Sequence, residues 1–398
     1  MKFLLTSVAS CSNRIGCIKD IERLPGLVLE TPLLLLYTKG GSVPHLTYEV
    51  LQMVSKEQHL LHIPISTVAQ CYEAVSAFKK GIADFIGLKE YLTFNSIHDP
   101  AVVTPHGFSE MDTISIWPRN GRKQLDADKY MDIIEAFQPD MYQVLCDGDT
   151  NTTSSKRRVQ KSVDRSITFF ERCIKRHEKS EVLKNSAVLG VVEGGYSVGG
   201  REMSAKYLAN SSVFGYVIDG LHNNGPDVEH LTFGDVKPIL KETLKHLPNE
   251  KFRLLHGCWN PEAVLNMVEL GIDAFDSSYA YIVTERGGAL IFQNAVTNLY
   301  AADFTPISRS CSCLTCQKHT RAYVHHLLNT RELLGPVLLT IHNLHHYMEF
   351  FKSIREALKS NTLDNLRKCA RVYTLSCHET LASPNQITLS RDEFWIKH

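Results

Sequence analysis

Through the first 300 residues, short apolar runs alternate with longer amphipathic stretches. Residues 187–192 and 213–218 are brief, rich in β-branched or aromatic side chains and followed by glycine and polar residues, which predicts buried strands. Between them residues 203–208 carry a helical pattern, and residues 236–244 carry another in which Pro238 is tolerable in the first turn. The series continues with a strand at 253–257, a helix at 263–270 closed by Gly271 as its C-cap, and a strand at 272–276. Strand, loop and helix recurring every ~30 to 40 residues predict parallel βα units, because parallel strands need a long crossover. Such units close into a TIM barrel or open into a doubly wound sheet. No G-x-G-x-x-G fingerprint opens any of these helices, which favours the barrel. Residues 1–11 read as an opening strand and not as a leader, since Thr6 and Ser7 interrupt a short apolar stretch. Near the other end, Ile341, Leu344, Met348, Phe351, Ile354 and Leu358 recur at helical spacing and describe one stripe that packs on the barrel or on a partner.

Composition narrows the class. A chain of 398 residues has room for one α/β barrel of roughly 250 residues plus an appended unit. The 43% hydrophobic and 22% charged content excludes a mostly disordered chain, and no apolar run approaches the roughly 18 to 20 residues of a membrane span. Lys and Arg (43) balance Asp and Glu (43), so any nucleic-acid contact has to be local. The candidate patch is Lys156, Arg157, Arg158, Lys161 and Arg165, with a solvated helix face as its plainer reading. Of 11 cysteines, Cys11, Cys17, Cys71, Cys146, Cys173, Cys258, Cys369 and Cys377 are scattered, unlike a secreted disulfide framework, and a reducing cytosol fits best. Turn residues and histidines accumulate near residue 300, dividing a barrel body, 1–300, from a C-terminal unit, 301–398.

That unit holds the strongest chemistry. Cys311, Cys313 and Cys316 put three thiols within six residues, a spacing suited to wrapping one ion. A structural Zn2+ prefers four soft or borderline ligands in a closed tetrahedron, so one more is needed. His319, His325, His326, His342, His345 and His346 are the candidates: His319 could follow the same turn, whereas His342 would clamp two distant segments and gain more structure from one ion. Unligated, three clustered thiols would be an oxidation liability.

The run Cys-x-Cys-x2-Cys-x25-His, with Asn343 after it and Thr320-Arg321-Ala322-Tyr323 and Ser353-Ile354-Arg355-Glu356-Ala357 flanking it, resembles the zinc subdomain of the tRNA-guanine transglycosylases. Upstream, Val192-Glu193-Gly194-Gly195, residues 215–221, residues 271–276 and Ser162-Val163-Asp164-Arg165-Ser166 after Asp147 are similar to further motifs of that family. The resemblance covers nearly the whole chain and implies a (β/α)8 TIM barrel with a zinc-binding subdomain near the C-terminus, Cys311, Cys313, Cys316 and His342 being the ligands. In the family an aspartate attacks the ribose carbon of guanosine at the wobble position of tRNAs with GUN anticodons, and queuine replaces guanine. Asp276 matches that nucleophile, and Asp147 matches the aspartate that binds the base.

Several positions depart from the family pattern. Its Asp-Ser-Gly-Gly-Phe-Gln is absent, the region reading Ser96-Ile97-His98-Asp99-Pro100, and Pro100 cannot give a flexible Gly-Gly approach to a base. Glu193 stands where a neutral amide would both donate and accept; ionised, it only accepts. Leu221-His222-Asn223-Asn224-Gly225 is bulkier than the family's small loop, and Ser277-Ser278-Tyr279-Ala280-Tyr281 replaces its arginine-bearing segment. The resemblance therefore implies a degenerate paralogue: no catalytic residue of its own (Asp276 and Asp147 vestigial), a catalytic partner subunit in a heterodimer or a second copy in a homodimer, tRNA as shared substrate, and the cytoplasm or the outer mitochondrial surface as location. The helix at 341–358 and the His325-His326-Leu327-Leu328 segment are candidates for the subunit interface and equally for intrachain core. Two rivals stand beside this reading: a self-sufficient transglycosylase using Asp276, and a zinc-stabilised scaffold without RNA function.

Overall fold

The computed structural model describes residues 1–8, 14–291 and 302–368. Eight parallel strands close into a barrel: β1 (Leu33–Tyr37), β2 (Leu60–Pro64), β3 (Leu92–Ser96), β4 (Met141–Gln143), β5 (Ala187–Val192), β6 (Gly215–Ile218), β7 (Phe252–Leu254) and β8 (Ala274–Asp276). Neighbours in space are neighbours in sequence, and β8 returns to β1 with Ala274 opposite Leu33 and Asp276 opposite Leu35. Every barrel strand is buried along its length, because helices cover the outside while side chains fill the inside. The Ala127–Phe137, Lys156–His177, Val198–Ala209, Phe233–Lys245 and Pro261–Leu270 helices contribute to the outer ring.

Two local expectations meet different fates. Gly271 caps its helix as expected, with φ +98° and its N–H on the Met267 and Val268 carbonyls, a left-handed turn that suits a residue without Cβ. Pro238 does not lie in the first turn: the helix already begins at Phe233, which puts the proline one turn inside. The buried face of Val236, Ile239, Leu240, Thr243 and Leu244 holds that helix against the loss of one backbone bond.

The opening residues form a strand, Lys2–Val8, in an antiparallel sheet with Arg14–Lys19 and Leu29–Thr31. This sheet caps the end of the barrel where the strands begin. Arg14 places its guanidinium fork on both Asp273 oxygens at 2.9 Å, just ahead of β8, and also reaches the Lys251 carbonyl at 2.8 Å. At the opposite end, residues 102–113 and a hairpin of Ile114–Ile116 with Lys123–Leu125 lie over the mouth.

The apolar stripe predicted from 341 to 358 belongs to a long helix, Leu334–Lys359, which packs on its own barrel. Phe351 meets Phe275 of β8 at 6.0 Å between ring centroids, and Tyr347 meets Tyr279 at 6.2 Å. Ile341, Leu344 and Ile354 are buried in the same face, so within the chain this stripe is core. No helix among the described residues is long and apolar enough to cross a membrane. The expected boundary at 300, and Cys11, Cys369 and Cys377, lie outside the described residues.

Candidate functional site

The clasp comes first, because its geometry is the most complete. Cys313 caps the short Leu314–Lys318 helix, its Sγ accepting from the Cys316 N–H at 3.4 Å, which folds the third thiol back over the first two. The Cys311, Cys313 and Cys316 Sγ atoms stand 3.7, 3.6 and 3.3 Å from Nδ1 of His342. Zn–S bonds of roughly 2.3 Å and Zn–N bonds of roughly 2.0 Å at tetrahedral angles set S···N edges of about 3.5 Å, so these donors already have the spacing of a four-coordinate zinc. His342 Nε2 donates to the Leu290 carbonyl at 2.7 Å, which fixes the tautomer and leaves the Nδ1 lone pair toward the thiols. Beside it, Asn343 accepts from the Leu290 N–H at 2.7 Å and donates to Thr284 Oγ1 at 2.9 Å, stapling the segment after β8 to the long helix. Among the other histidines, His345 meets Ser312 and His346 stacks on the His342 ring, and neither belongs to the four-donor set. Four protein ligands leave no open position, which is a structural and not a catalytic arrangement.

The barrel mouth is built differently. Asp147, four residues beyond β4, is buried, and two arginines hold its carboxylate. Arg158 takes both oxygens, Nη1 lying 3.0 Å from Oδ2, and Arg165 Nη1 approaches Oδ2 at 2.9 Å. Its backbone is fixed as well: the Asp147 N–H donates to Ser166 Oγ at 2.9 Å, and Ser162 Oγ donates to its carbonyl at 2.6 Å. Arg158, Ser162, Arg165 and Ser166 recur at i, i+4, i+7 and i+8, one face of the Lys156–His177 helix, which the N-cap Ser155 starts at the right phase. That periodicity is the signal by which the sequence could have revealed them. Of the basic patch, then, Arg158 and Arg165 turn into the mouth, while Lys156, Arg157 and Lys161 remain exposed.

Surrounding loops close what space is left. The Gly107 N–H donates to Asp149 Oδ2 at 2.7 Å, the Thr104 N–H to the Asn223 carbonyl at 2.8 Å, and Asn151 Nδ2 to Asn223 Oδ1 at 2.6 Å. The cavity among His98, Trp117, Cys146, Asp147, Asp219 and His222 measures about 20 Å³, room for one water. Small-molecule pockets need roughly 300 Å³ or more.

Asp276, at the end of β8, does not line that cavity. Its oxygens accept from the Gly257 and Ser278 N–H groups, each at 2.7 Å, and burial holds its carboxyl above the ordinary range despite those bonds. His62 Nδ1 lies 3.9 Å away, its Nε2 is 2.6 Å from Ser96 Oγ, and burial keeps the ring neutral. Asp99 accepts from the Tyr37 hydroxyl at 2.8 Å and the Ala101 N–H at 2.9 Å, so it braces the end of β1. Burial first, and Asp219 second, push the Glu193 carboxyl well above the usual range. Sequence reasoning missed its neighbours Cys146 and Asp219, which a residue-by-residue reading has no means of placing together.

Comparison with known proteins agrees with this architecture. The family model for queuine tRNA-ribosyltransferase matches residues 10–373. The chain is 43% identical over 385 residues to a queuine tRNA-ribosyltransferase accessory subunit 2 of Anopheles gambiae, covering 92% of this chain and 89% of that one. Identity to the protein of the same name is 40% over 383 residues in Aedes aegypti (92% and 91%) and 41% over 351 residues in Ixodes scapularis (82% and 89%). With the barrel, the clasp and the altered mouth in one polypeptide, the chain belongs to the queuine tRNA-ribosyltransferase family.

Proposed function

We propose that the chain is the non-catalytic subunit of a heterodimeric queuine tRNA-ribosyltransferase, which exchanges guanine for queuine at the wobble position of tRNAs with GUN anticodons. One observation carries the reading: Asp147, the carboxylate that would read the incoming base, is taken by Arg158 and Arg165. Base exchange needs a nucleophile and a second group that manages protons on the leaving and arriving purines, both within reach of the base. Here Asp276 is braced by backbone N–H groups beside a cavity of about 20 Å³ that it does not line, and misplacement on that scale removes orders of magnitude in rate. The catalytic partner supplies the working site. This chain contributes Lys156, Arg157 and Lys161 to tRNA phosphates, and one Zn2+ on Cys311, Cys313, Cys316 and His342 holds the C-terminal unit, 301–398, to the barrel body, 1–300. Eight free cysteines among the described residues suit a reducing cytoplasm, where partners would tether the chain at the outer mitochondrial surface.

The test is incubation of the purified chain with tRNA and labelled guanine or queuine, alone and with the catalytic subunit. Exchange is expected only in the mixture, unchanged by Asp276→Asn in this chain. Exchange by the isolated chain, abolished by Asp276→Asn, overturns the reading in favour of a self-sufficient enzyme. An unaltered tRNA affinity and salt slope on adding this chain to its partner overturns it in favour of a scaffold.

A further inference from the structure

Beneath the mouth lies a donor set that the proposed role does not use. Cys146 follows β4, Glu193 follows β5 and Asp219 follows β6, and they bring one thiol and two carboxylates within 4.8 Å of one another, Cys146 and Glu193 buried and Asp219 partly so. Cys146 Sγ is 3.8 Å from Asp219 Oδ2, while Asp219 Oδ1 already accepts from the Gly220 N–H at 2.8 Å, which leaves Oδ2 for a ligand. Glycines permit the approach. A Cβ at Gly148 would stand 2.7 Å from Asp219 Oδ2, and one at Gly220 would collide with Glu193 Oε2.

An observation independent of the donor spacing points to something held there. Glu193 has no exposed surface, yet neither of its oxygens meets a protein hydrogen-bond donor in acceptable geometry. Native interiors pair such groups, because a bare buried carboxylate is costly.

We propose that Cys146, Glu193 and Asp219 bind a divalent cation of borderline softness, zinc foremost, with a water held in the mouth cavity as fourth ligand. Cys146 and Asp219 both line that cavity, whose volume of about 20 Å³ suits one water. A thiolate beside two carboxylates suits zinc better than magnesium or calcium, which take oxygen ligands. The site is separate from the clasp and is carried by the loops after three barrel strands.

Elemental analysis of the full-length protein, equilibrated with zinc and gel-filtered, tests this. About two zinc ions per chain are expected, falling to about one in Asp219→Asn and in Cys146→Ser, each checked for folding by circular dichroism. Cobalt substitution should add a thiolate charge-transfer band with the second equivalent, and Cys146→Ser should remove it. One ion per wild-type chain overturns the assignment, as do two ions that survive both substitutions. If either variant unfolds, the wild-type stoichiometry and cobalt titration decide alone.

Discussion

The clasp and the barrel mouth both bury polar side chains, and they satisfy them in opposite ways. In the clasp, three thiols and one imidazole point at a common centre, and the remaining ring nitrogen and the adjacent Asn343 are fully engaged by backbone. Everything there has the spacing that one ion would take. In the mouth, Asp147 is answered by the protein's own arginines, and the surrounding loops leave a cavity of about 20 Å³. The donors of one region suit an added ligand, whereas the buried carboxylate of the other is completed by the protein's own arginines. Retained architecture is therefore poor ground for inferring retained chemistry: what matters is whether the groups that should face a substrate are free to do so.

Metal removal should produce the largest effect. Structural zinc supplies roughly 10 kcal/mol or more in small domains, so chelation or His342→Ala should lower Tm steeply and release the C-terminal unit to protease, as monitored by calorimetry and limited proteolysis. A clasp that tolerates chelation without a shift would break the contrast with the mouth. Next comes Asp147→Asn, which leaves two partly buried guanidiniums without their carboxylate. Breaking a buried pair costs about 3 to 5 kcal/mol, and the arginines' partial exposure reduces this to roughly 2 to 3, readable in urea unfolding.

Asp276→Asn should cost about 1 to 2 kcal/mol, since the amide keeps one acceptor for two backbone donors. The same variant probes pH. Asp276 has a raised native pKa, so the native state holds a proton over a range where the unfolded chain has lost it. Its contribution to stability is thus present below the ordinary carboxylate value and lost as pH rises through the raised one. The advantage of the wild type over Asp276→Asn should be full at acid pH and shrink as pH rises through that window. The smallest effect belongs to Lys156→Ala, Arg157→Ala and Lys161→Ala, which should leave Tm unchanged and lower the salt slope of tRNA binding by the complex by about one per phosphate contact. Arg158→Ala should do the reverse and lower stability, which separates the two halves of the basic run.

Much of the fold was legible because its signals are local. The βα rhythm from residue 187 onward, the Gly271 cap and the 341–358 stripe each follow from side-chain period and backbone preference within one element, and each stands where it was expected. The three thiols were equally plain, but spacing alone left six histidines as fourth ligand, and it took the packing of the long helix on β8 to bring His342 to them. The mouth was least legible. Arg158 and Arg165 read as part of a basic patch for tRNA phosphates or a solvated helix face, because their partner Asp147 lies 11 and 18 residues away across a loop whose course no periodicity encodes. Glu193 was identified as a departure, yet its protonation depends on burial and on Asp219, which are tertiary facts.

Equilibrium dialysis of labelled guanine against the isolated, zinc-loaded chain bears most directly on the claim that the mouth is filled from within. No saturable binding is expected, and Arg158→Ala with Arg165→Ala should raise it above the wild type if the arginines are what exclude the base. Stoichiometric guanine binding by the wild-type chain, lost in Asp147→Asn, would contradict the account.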